Sequence, residues 1–135
     1  MDWEFPVESV MRSPPVMAWS SDTVSSIVEK MVQENIGAVI ICDMDVVPIG
    51  IITERDIVER IVNKHRDPAK TLAFEVMSAP IVTIESDRSV VEALKLMRDR
   101  KVRRLAVTRE GRLVGIITER RLLDALVTRL TETEE

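Results

Sequence analysis

The chain has 135 residues, of which 45% are hydrophobic and 31% charged, so it can form one ordinary domain or two half-size units that share a core. The formal net charge is −4, which argues against the basic surface of a non-specific nucleic-acid binder. One cysteine and one histidine exclude an intramolecular disulfide and argue against a metal site, while the lack of a signal peptide or of an apolar span of about 18 residues predicts a cytoplasmic protein that does not enter a membrane.

The first half of the chain is predicted to form a strand, a helix, two strands and a second helix. Two prolines favour extended backbone and predict a short edge strand at 16–18. Apolar residues at helical spacing predict a helix over 24–35. A continuous apolar run at 37–42 is typical of a strand buried on both faces, and 48–53 is predicted as its hairpin partner. The second helix is predicted over 54–63.

The second half repeats the first. The six residues Gly-Ile-Ile-Thr-Glu-Arg begin at Gly50 and again at Gly115, and Val10-Met11 matches Val76-Met77, so the chain is an internal duplication. The second copy predicts a helix, two strands and a helix, at 90–100, 104–108, 113–118 and 119–130. The predicted organisation is a leader at 1–9, a first repeat at 10–66, a connector at 67–75, a second repeat at 76–130 and an acidic tail at 131–135.

These elements predict a mixed α/β (α+β) fold. Each repeat, at roughly 60 residues, would bury little surface alone. Two repeats packed face to face about an approximate twofold axis would solve that problem. In the leader, Trp3 and Phe5 are predicted to dock on the main body.

Three features of the chain resemble a known family. Met-x-x-x-Pro near the start, the apolar strand and Gly-Ile-Ile-Thr-x-x-Asp at the second helix resemble the cystathionine-β-synthase (CBS) domain. Two in tandem resemble a Bateman module, over about residues 8 to 128, and the short chain resembles the stand-alone kind. The resemblance implies two clefts between paired repeats that hold AMP, ADP or ATP, and less often S-adenosylmethionine. It also implies a homodimer formed through the helices, for which the ends of the second helices offer Val58, Ile61, Leu126 and Val127.

Thr53 and Asp56 have two interpretations that do not exclude each other. Thr53 followed three residues later by an acid is the pattern of a helix capping box. The same carboxylate could accept both hydroxyls of a ribose, and the helix start could attract a phosphate. The second copy keeps Thr118 but has Arg121 in place of the acid, which indicates one ribose-binding cleft and one altered cleft.

The resemblance implies which residues would complete each cleft. The predicted nucleotide-binding set is Ile51, Ile52, Thr53, Asp56, Met77, Pro80, Val82, Arg103, Arg104 and Arg120, with the arginines at the phosphates. The second, weaker cleft would contain Val16, Ile36, Gly37, Thr118 and Arg121, and Arg121 would either bind a bare phosphate or fill the cleft itself.

The predicted function is a non-catalytic sensor of an adenine nucleotide, with AMP ahead of ATP and ADP, that acts on an unidentified partner protein. The alternatives are a ligand-free structural dimerisation module and an S-adenosylmethionine binder. An enzyme is not expected, because the four glycines form no phosphate-binding pattern and no catalytic triad residues are grouped. Cys42 lies in an apolar strand, which predicts a buried thiol rather than a nucleophile.

Overall fold

The structure is a computed structural model that describes residues 4–134, and it confirms the mixed α/β class with two three-stranded sheets. The chain divides into two compact units. The central unit is Val16–Ile81, and the terminal unit combines the chain up to Pro15 with the chain from Val82. Each unit contains one of the sheets and its own hydrophobic core.

The central unit has the predicted order of strand, helix, strand, strand and helix, and adds a short helix at the end of the predicted connector that was not predicted. Its elements are β1 (Met17–Trp19), α1 (Val24–Glu34), β2 (Ala38–Cys42), β3 (Pro48–Thr53), α2 (Glu54–Ile57) and α3 (Ala73–Val76). The strand β2 lies in the middle of the sheet, parallel to β1 and antiparallel to β3. Every residue of β2 is buried, which confirms the interpretation of its continuous apolar run.

The terminal unit repeats this arrangement. Its elements are β4 (Thr83–Glu85), α4 (Val90–Arg100), β5 (Arg104–Arg109), β6 (Arg112–Thr118) and α5 (Glu119–Glu134). The middle strand β5 is again parallel to the first strand and antiparallel to the last. A single 3₁₀ turn at Val7–Ser9 precedes these elements in the chain and packs with them.

Local sequence signals set the ends of the long helices. The hydroxyls of Thr23 and Ser89 accept hydrogen bonds from backbone N–H groups of the first turns of α1 and α4. Asn35 and Lys101 end the same helices in the left-handed conformation. These caps explain why the predicted bounds of both helices agree with the structure.

Two helices differ from the prediction. The helix predicted over 54–63 is α-helical only to Ile57 and continues as a π-helical segment over Val58–Val62, which ends with the N–H of Asn63 on the carbonyl of Val58. The helix α5 runs to Glu134 instead of ending near 130, because no proline or glycine interrupts it. Its last turns therefore include residues of the predicted acidic tail, of which Glu135 lies outside the described part of the chain.

The compact units do not follow the boundaries of the sequence repeats. Phe5 and Val7 from the predicted leader are buried in the core of the terminal unit, and the guanidinium of Arg129 lies 4.0 Å from the centre of the Phe5 ring. Trp3 lies outside the described residues. In the same way, Ala73 and Val76 of α3 are buried in the core of the central unit. In each unit, the segment that leads into one repeat packs against the sheet of the other repeat. We call it the crossing segment; it comprises residues 5–15 in the terminal unit and 73–81 in the central unit.

The glycine of the repeated motif makes room for this segment. Ser78 and Ile51 of β3 exchange two backbone hydrogen bonds, of 2.9 and 3.0 Å. A Cβ atom on Gly50 would lie 2.6 Å from the Met77 sulfur and 3.0 Å from the Ser78 carbonyl oxygen. Gly115 is approached by Met11 and Arg12 in the corresponding way. The glycine is therefore present in both copies because the backbone of the crossing segment comes close.

Candidate functional site

The start of α2 is a complete capping box. The backbone N–H and the hydroxyl of Thr53 donate to Oδ2 of Asp56 over 2.9 and 3.1 Å. In return, the backbone N–H of Asp56 donates to the Thr53 hydroxyl over 3.2 Å. The capping interpretation of the motif is therefore confirmed, and the carboxylate is held in one orientation by its own helix turn.

The second carboxylate oxygen of Asp56 makes tertiary contacts. The hydroxyl of Ser78 donates to Oδ1 over 3.0 Å, and Nε of Arg60 lies 3.7 Å from the same oxygen. These neighbours leave Asp56 only 6% exposed. Neither Ser78 nor Arg60 is among the residues predicted for the site. A signal for Ser78 exists in the sequence, because the position that matches it in the other repeat is Arg12, and this difference accompanies the change from Asp56 to Arg121.

An arginine holds the crossing segment in each unit, but from different positions. In the central unit, Arg60 donates to the carbonyls of Val76 and Met77 over 2.8 and 3.0 Å. In the terminal unit, Arg121 donates to the matching carbonyls, those of Val10 and, at 3.5 Å, Met11. We call this contact the arginine clamp. Arg121 is thus engaged with the backbone of its own unit.

The start of α5 keeps only half of the capping box. The backbone N–H of Arg121 donates to the Thr118 hydroxyl over 3.1 Å, as at the first helix. Because Arg121 has replaced the acid, no carboxylate returns to the backbone N–H of Thr118 from that position. The sequence difference between Asp56 and Arg121 is therefore also a difference in contacts. Asp56 completes a capping box, whereas Arg121 donates to the carbonyls of Val10 and Met11.

Three arginines line an open groove of about 700 Å³ beside the start of α5. The groove is formed by Arg103, Arg104, Thr118, Glu119, Arg120, Leu123 and Asp124. None of the three guanidinium groups makes an ion pair or a side-chain hydrogen bond with another residue in the described part of the chain. We call this site the arginine groove. The lining also contains the carboxylates of Glu119 and Asp124, which form no ion pair with these arginines, so the groove has a net positive charge next to the N-terminus of a 16-residue helix.

The corresponding groove of the central unit is apolar. It has a volume of about 530 Å³ and is lined by Val28, Met31, Val32, Asn35, Ile36, Gly37, Glu54, Ile57 and Val58. Gly37 and Ala38 stand where the other repeat has Arg103 and Arg104. The same place in the fold is therefore lined by arginines in one repeat and by mostly apolar side chains in the other.

The remaining predicted residues are distributed over both units. Ile52 is fully buried, so that it can position a site but not contact a ligand with its side chain. Ile51 pairs with Ser78, and Met77 covers Gly50. Pro80 is exposed in the central unit, whereas Val82 packs against the core of the terminal unit. The predicted weaker cleft draws on the same two units: Val16, Ile36 and Gly37 lie in the central unit, and Thr118 and Arg121 in the terminal unit.

The thiol and the titratable groups offer little catalytic chemistry. Cys42 is fully buried, as predicted, and this burial, followed by the nearby charge of Asp43, raises its pKa to about 11. At neutral pH the group is therefore a thiol and a weak nucleophile. Within residues 4–134, no three His, Cys, Asp or Glu side chains are grouped closely enough to hold a metal ion. In that same range, no helix is both long and apolar enough to cross a membrane.

Comparison with known families gives a match over most of the chain. The model of the CBS domain matches residues 7–63 and again residues 73–128. An uncharacterised protein of Methanopyrus kandleri is 39% identical over 118 residues, which make up 87% of this chain and 60% of that protein. The chain thus spans less than two thirds of the length of this relative.

Two solved structures have the same fold. An acetoin utilization protein from Vibrio cholerae superposes with a TM-score of 0.86 at 25% identity, covering 99% of this chain and 100% of the other. Hypoxic Response Protein I, whose crystal structure contains two coordinated zinc ions, gives a TM-score of 0.80 at 30% identity and covers 88% and 97%. The matching protein sequence from Mycobacterium tuberculosis is 33% identical over 82% of this chain.

Proposed function

Because the chain belongs to the CBS-domain family, with two domains in tandem, we propose that it is a regulatory module that binds an adenine nucleotide. Tandem CBS domains are commonly regulatory, and the chemistry available in the described residues is that of binding rather than of catalysis. The arginine groove is the observation that carries this proposal. Three guanidinium groups that form no ion pairs among the described residues, and that outnumber the two carboxylates of the groove at the start of a long helix, are well suited to the negative charge of a phosphate.

The start of α2 supplies the second part of the proposal. In the family, the acid of the Gly-Ile-Ile-Thr-x-x-Asp motif binds ribose, and this chain has that acid only at Asp56. The capping box holds the carboxylate in a fixed orientation, which lowers the entropic cost of binding. AMP is the first candidate, followed by ATP and ADP. S-adenosylmethionine carries no phosphate and offers the arginine groove only the single carboxylate of its amino-acid part.

The first test is binding of AMP, ADP, ATP and S-adenosylmethionine, measured by thermal shift and by calorimetry. Saturating ligand stabilises the folded chain by RT ln(1 + [L]/Kd), so a bound nucleotide raises the melting temperature. Replacing both Arg103 and Arg104 with alanine is expected to weaken AMP binding by about tenfold or more, because each removes a charge-assisted hydrogen bond.

The control is Arg112→Ala, which removes the same charge from an exposed position in β6 of the same unit. It should change the affinity by less than about twofold, since a distant surface charge is screened by salt. Equal losses of AMP affinity in the double variant and the control would show that Arg103 and Arg104 act only through general electrostatic attraction. No stabilisation by any of the four compounds at millimolar concentration would favour the ligand-free structural module.

We further propose that the module forms a homodimer through its helices. Several apolar side chains on the helices are exposed, namely Val32, Val58, Val62, Leu123, Val127 and Leu130. Of the residues expected at a dimer interface from the sequence, Ile61 is only 4% exposed and belongs to the core, whereas Val58 is 59% exposed and can contact a partner. Sedimentation equilibrium is expected to give twice the chain mass of 15.3 kDa, and Val58→Lys should shift it toward the monomer. A monomer at micromolar concentration would contradict this proposal.

A further inference from the structure

We propose that Ser78 is an internal competitor of the ribose at Asp56, so that nucleotide binding releases the Ser78 hydroxyl and loosens the segment at 77–81. This inference rests on the proposed nucleotide function and adds to it a means by which the bound state alters the protein. It starts from a contact made by Ser78, a residue that lies outside the ribose-binding motif. In the structure, the carboxylate that would hold the ribose is already occupied.

The acceptor capacity of Asp56 is nearly saturated. A carboxylate offers about four acceptor positions. Thr53 uses two of them on Oδ2, the Ser78 hydroxyl uses one on Oδ1, and Arg60 faces that same oxygen. With 6% of the residue exposed, a ribose diol cannot add its two hydroxyls to this set without displacing a donor.

Ser78 is the donor that can leave at the lowest cost. The Thr53 donors belong to the same helix turn, so their positions are fixed by the capping box. Nε of Arg60, at 3.7 Å, is too far from the carboxylate to donate a hydrogen bond, so its departure would free no acceptor position, and its bonds to the carbonyls of Val76 and Met77 hold it in place. The Ser78 hydroxyl comes from another segment, and rotation about one side-chain bond withdraws it from Oδ1.

The second repeat has no equivalent of this contact. Arg12 matches Ser78 and Arg121 matches Asp56, so both the donor and the acceptor have been replaced together. There the crossing segment is held by the arginine clamp on Val10 and Met11. The Ser78–Asp56 contact therefore belongs to the repeat that retains the acid for ribose.

Release of Ser78 would act on a segment with few other anchors. Ala79 and Pro80 are exposed, and the chain passes into the terminal unit at Val82. What remains after release is the pair of backbone hydrogen bonds between Ser78 and Ile51 and the clamp of Arg60 on the preceding carbonyls. Ribose binding at Asp56 would thereby increase the mobility of the backbone segment that continues from the central unit into the terminal unit.

Calorimetric titration of AMP into the wild-type chain and Ser78→Ala tests this proposal. Loss of the competing hydroxyl is expected to tighten AMP binding about fivefold, the range of one net hydrogen bond. The 2′,3′-dideoxy analogue of AMP lacks the hydroxyls that compete, so its affinity should be the same for both proteins. The matched control is Ser13→Ala, which removes a hydroxyl bonded to the carbonyl of Val114 in the corresponding segment of the terminal unit and should leave AMP affinity unchanged.

Hydrogen exchange gives a second readout that does not depend on a substitution. AMP should accelerate exchange of the Ser78 and Ile51 amides in the wild-type chain, because loosening of the segment opens more often the backbone pair that protects both amides, whereas most amides near a bound ligand exchange more slowly. Unchanged or weaker AMP binding by Ser78→Ala, or slower exchange at these amides, would overturn the competition while leaving the nucleotide function intact. Absence of AMP binding to both proteins would overturn the nucleotide function and the competition together.

Discussion

Replacing Asp56 with alanine is expected to destabilise the fold by about 3 kcal/mol and to weaken AMP binding by more than about tenfold. The substitution removes the capping box and the Ser78 contact, and it leaves the Arg60 guanidinium without its carboxylate. Loss of a helix cap costs about 0.5–2 kcal/mol, and a hydrogen bond to a charged group contributes about 1.5–3 kcal/mol. Urea denaturation measures the first effect and calorimetry with AMP the second.

Two variants separate the structural role of Asp56 from its binding role. Glu54→Ala removes the same charge from an exposed position in the same helix turn, outside the capping box, and should cost less than about 0.5 kcal/mol. Asp56→Asn keeps the shape and one acceptor oxygen, so it should retain more stability than alanine. Its AMP affinity should nevertheless fall, because the amide cannot accept two ribose hydroxyls on two oxygens. Wild-type affinity in Asp56→Asn would argue against the ribose assignment.

Replacing Arg121 with alanine is expected to destabilise the terminal unit by about 2 kcal/mol. The variant removes the arginine clamp and leaves the carbonyls of Val10 and Met11 without this donor. Arg120→Ala, at the adjacent exposed position without such bonds, should cost less than about 0.5 kcal/mol. Urea denaturation monitored by circular dichroism gives both values.

The clamp of the central unit suggests a rescue of this variant. Ala125 occupies the position in the second repeat that Arg60 occupies in the first. The double variant Arg121→Ala, Ala125→Arg therefore places a guanidinium where the first repeat has its clamp, and we expect it to recover at least about half of the lost stability. Ala125→Arg in the wild-type background controls for a general effect of the added charge. Equal stability of the single and double variants would show that the two clamps are not interchangeable.

The repeated fold could be predicted because its signals are local. The continuous apolar run of β2 and the capping residues of α1 and α4 define strands and helices through nearest neighbours along the chain. The capping box at Thr53 and Asp56 is also local, since both residues belong to one helix turn. The loss of the acid at Arg121 could be seen by comparing the two copies.

The contacts of the candidate site could not be predicted in the same way. Helical periodicity placed Val58 and Ile61 alike on an apolar face, but only the packing of the central unit shows that Ile61 is core and Val58 is exposed. The partners of Arg60 and Arg121 are equally non-local. A long arginine side chain can reach the same pair of carbonyls from two different helix turns, so its position in sequence does not identify its contact.

The sequence by itself determined the duplication, the order of the elements and the single acid that distinguishes the two repeats. Only the tertiary structure decided that each crossing segment packs against the sheet of the other repeat, that the Ser78 hydroxyl binds Asp56, and that the arginines of the groove form no ion pairs within the described residues. The physical reason is the range of the interactions. Propensity, capping and burial pattern act within a few residues, whereas a shared oxygen or an unpaired charge depends on which distant segments pack together.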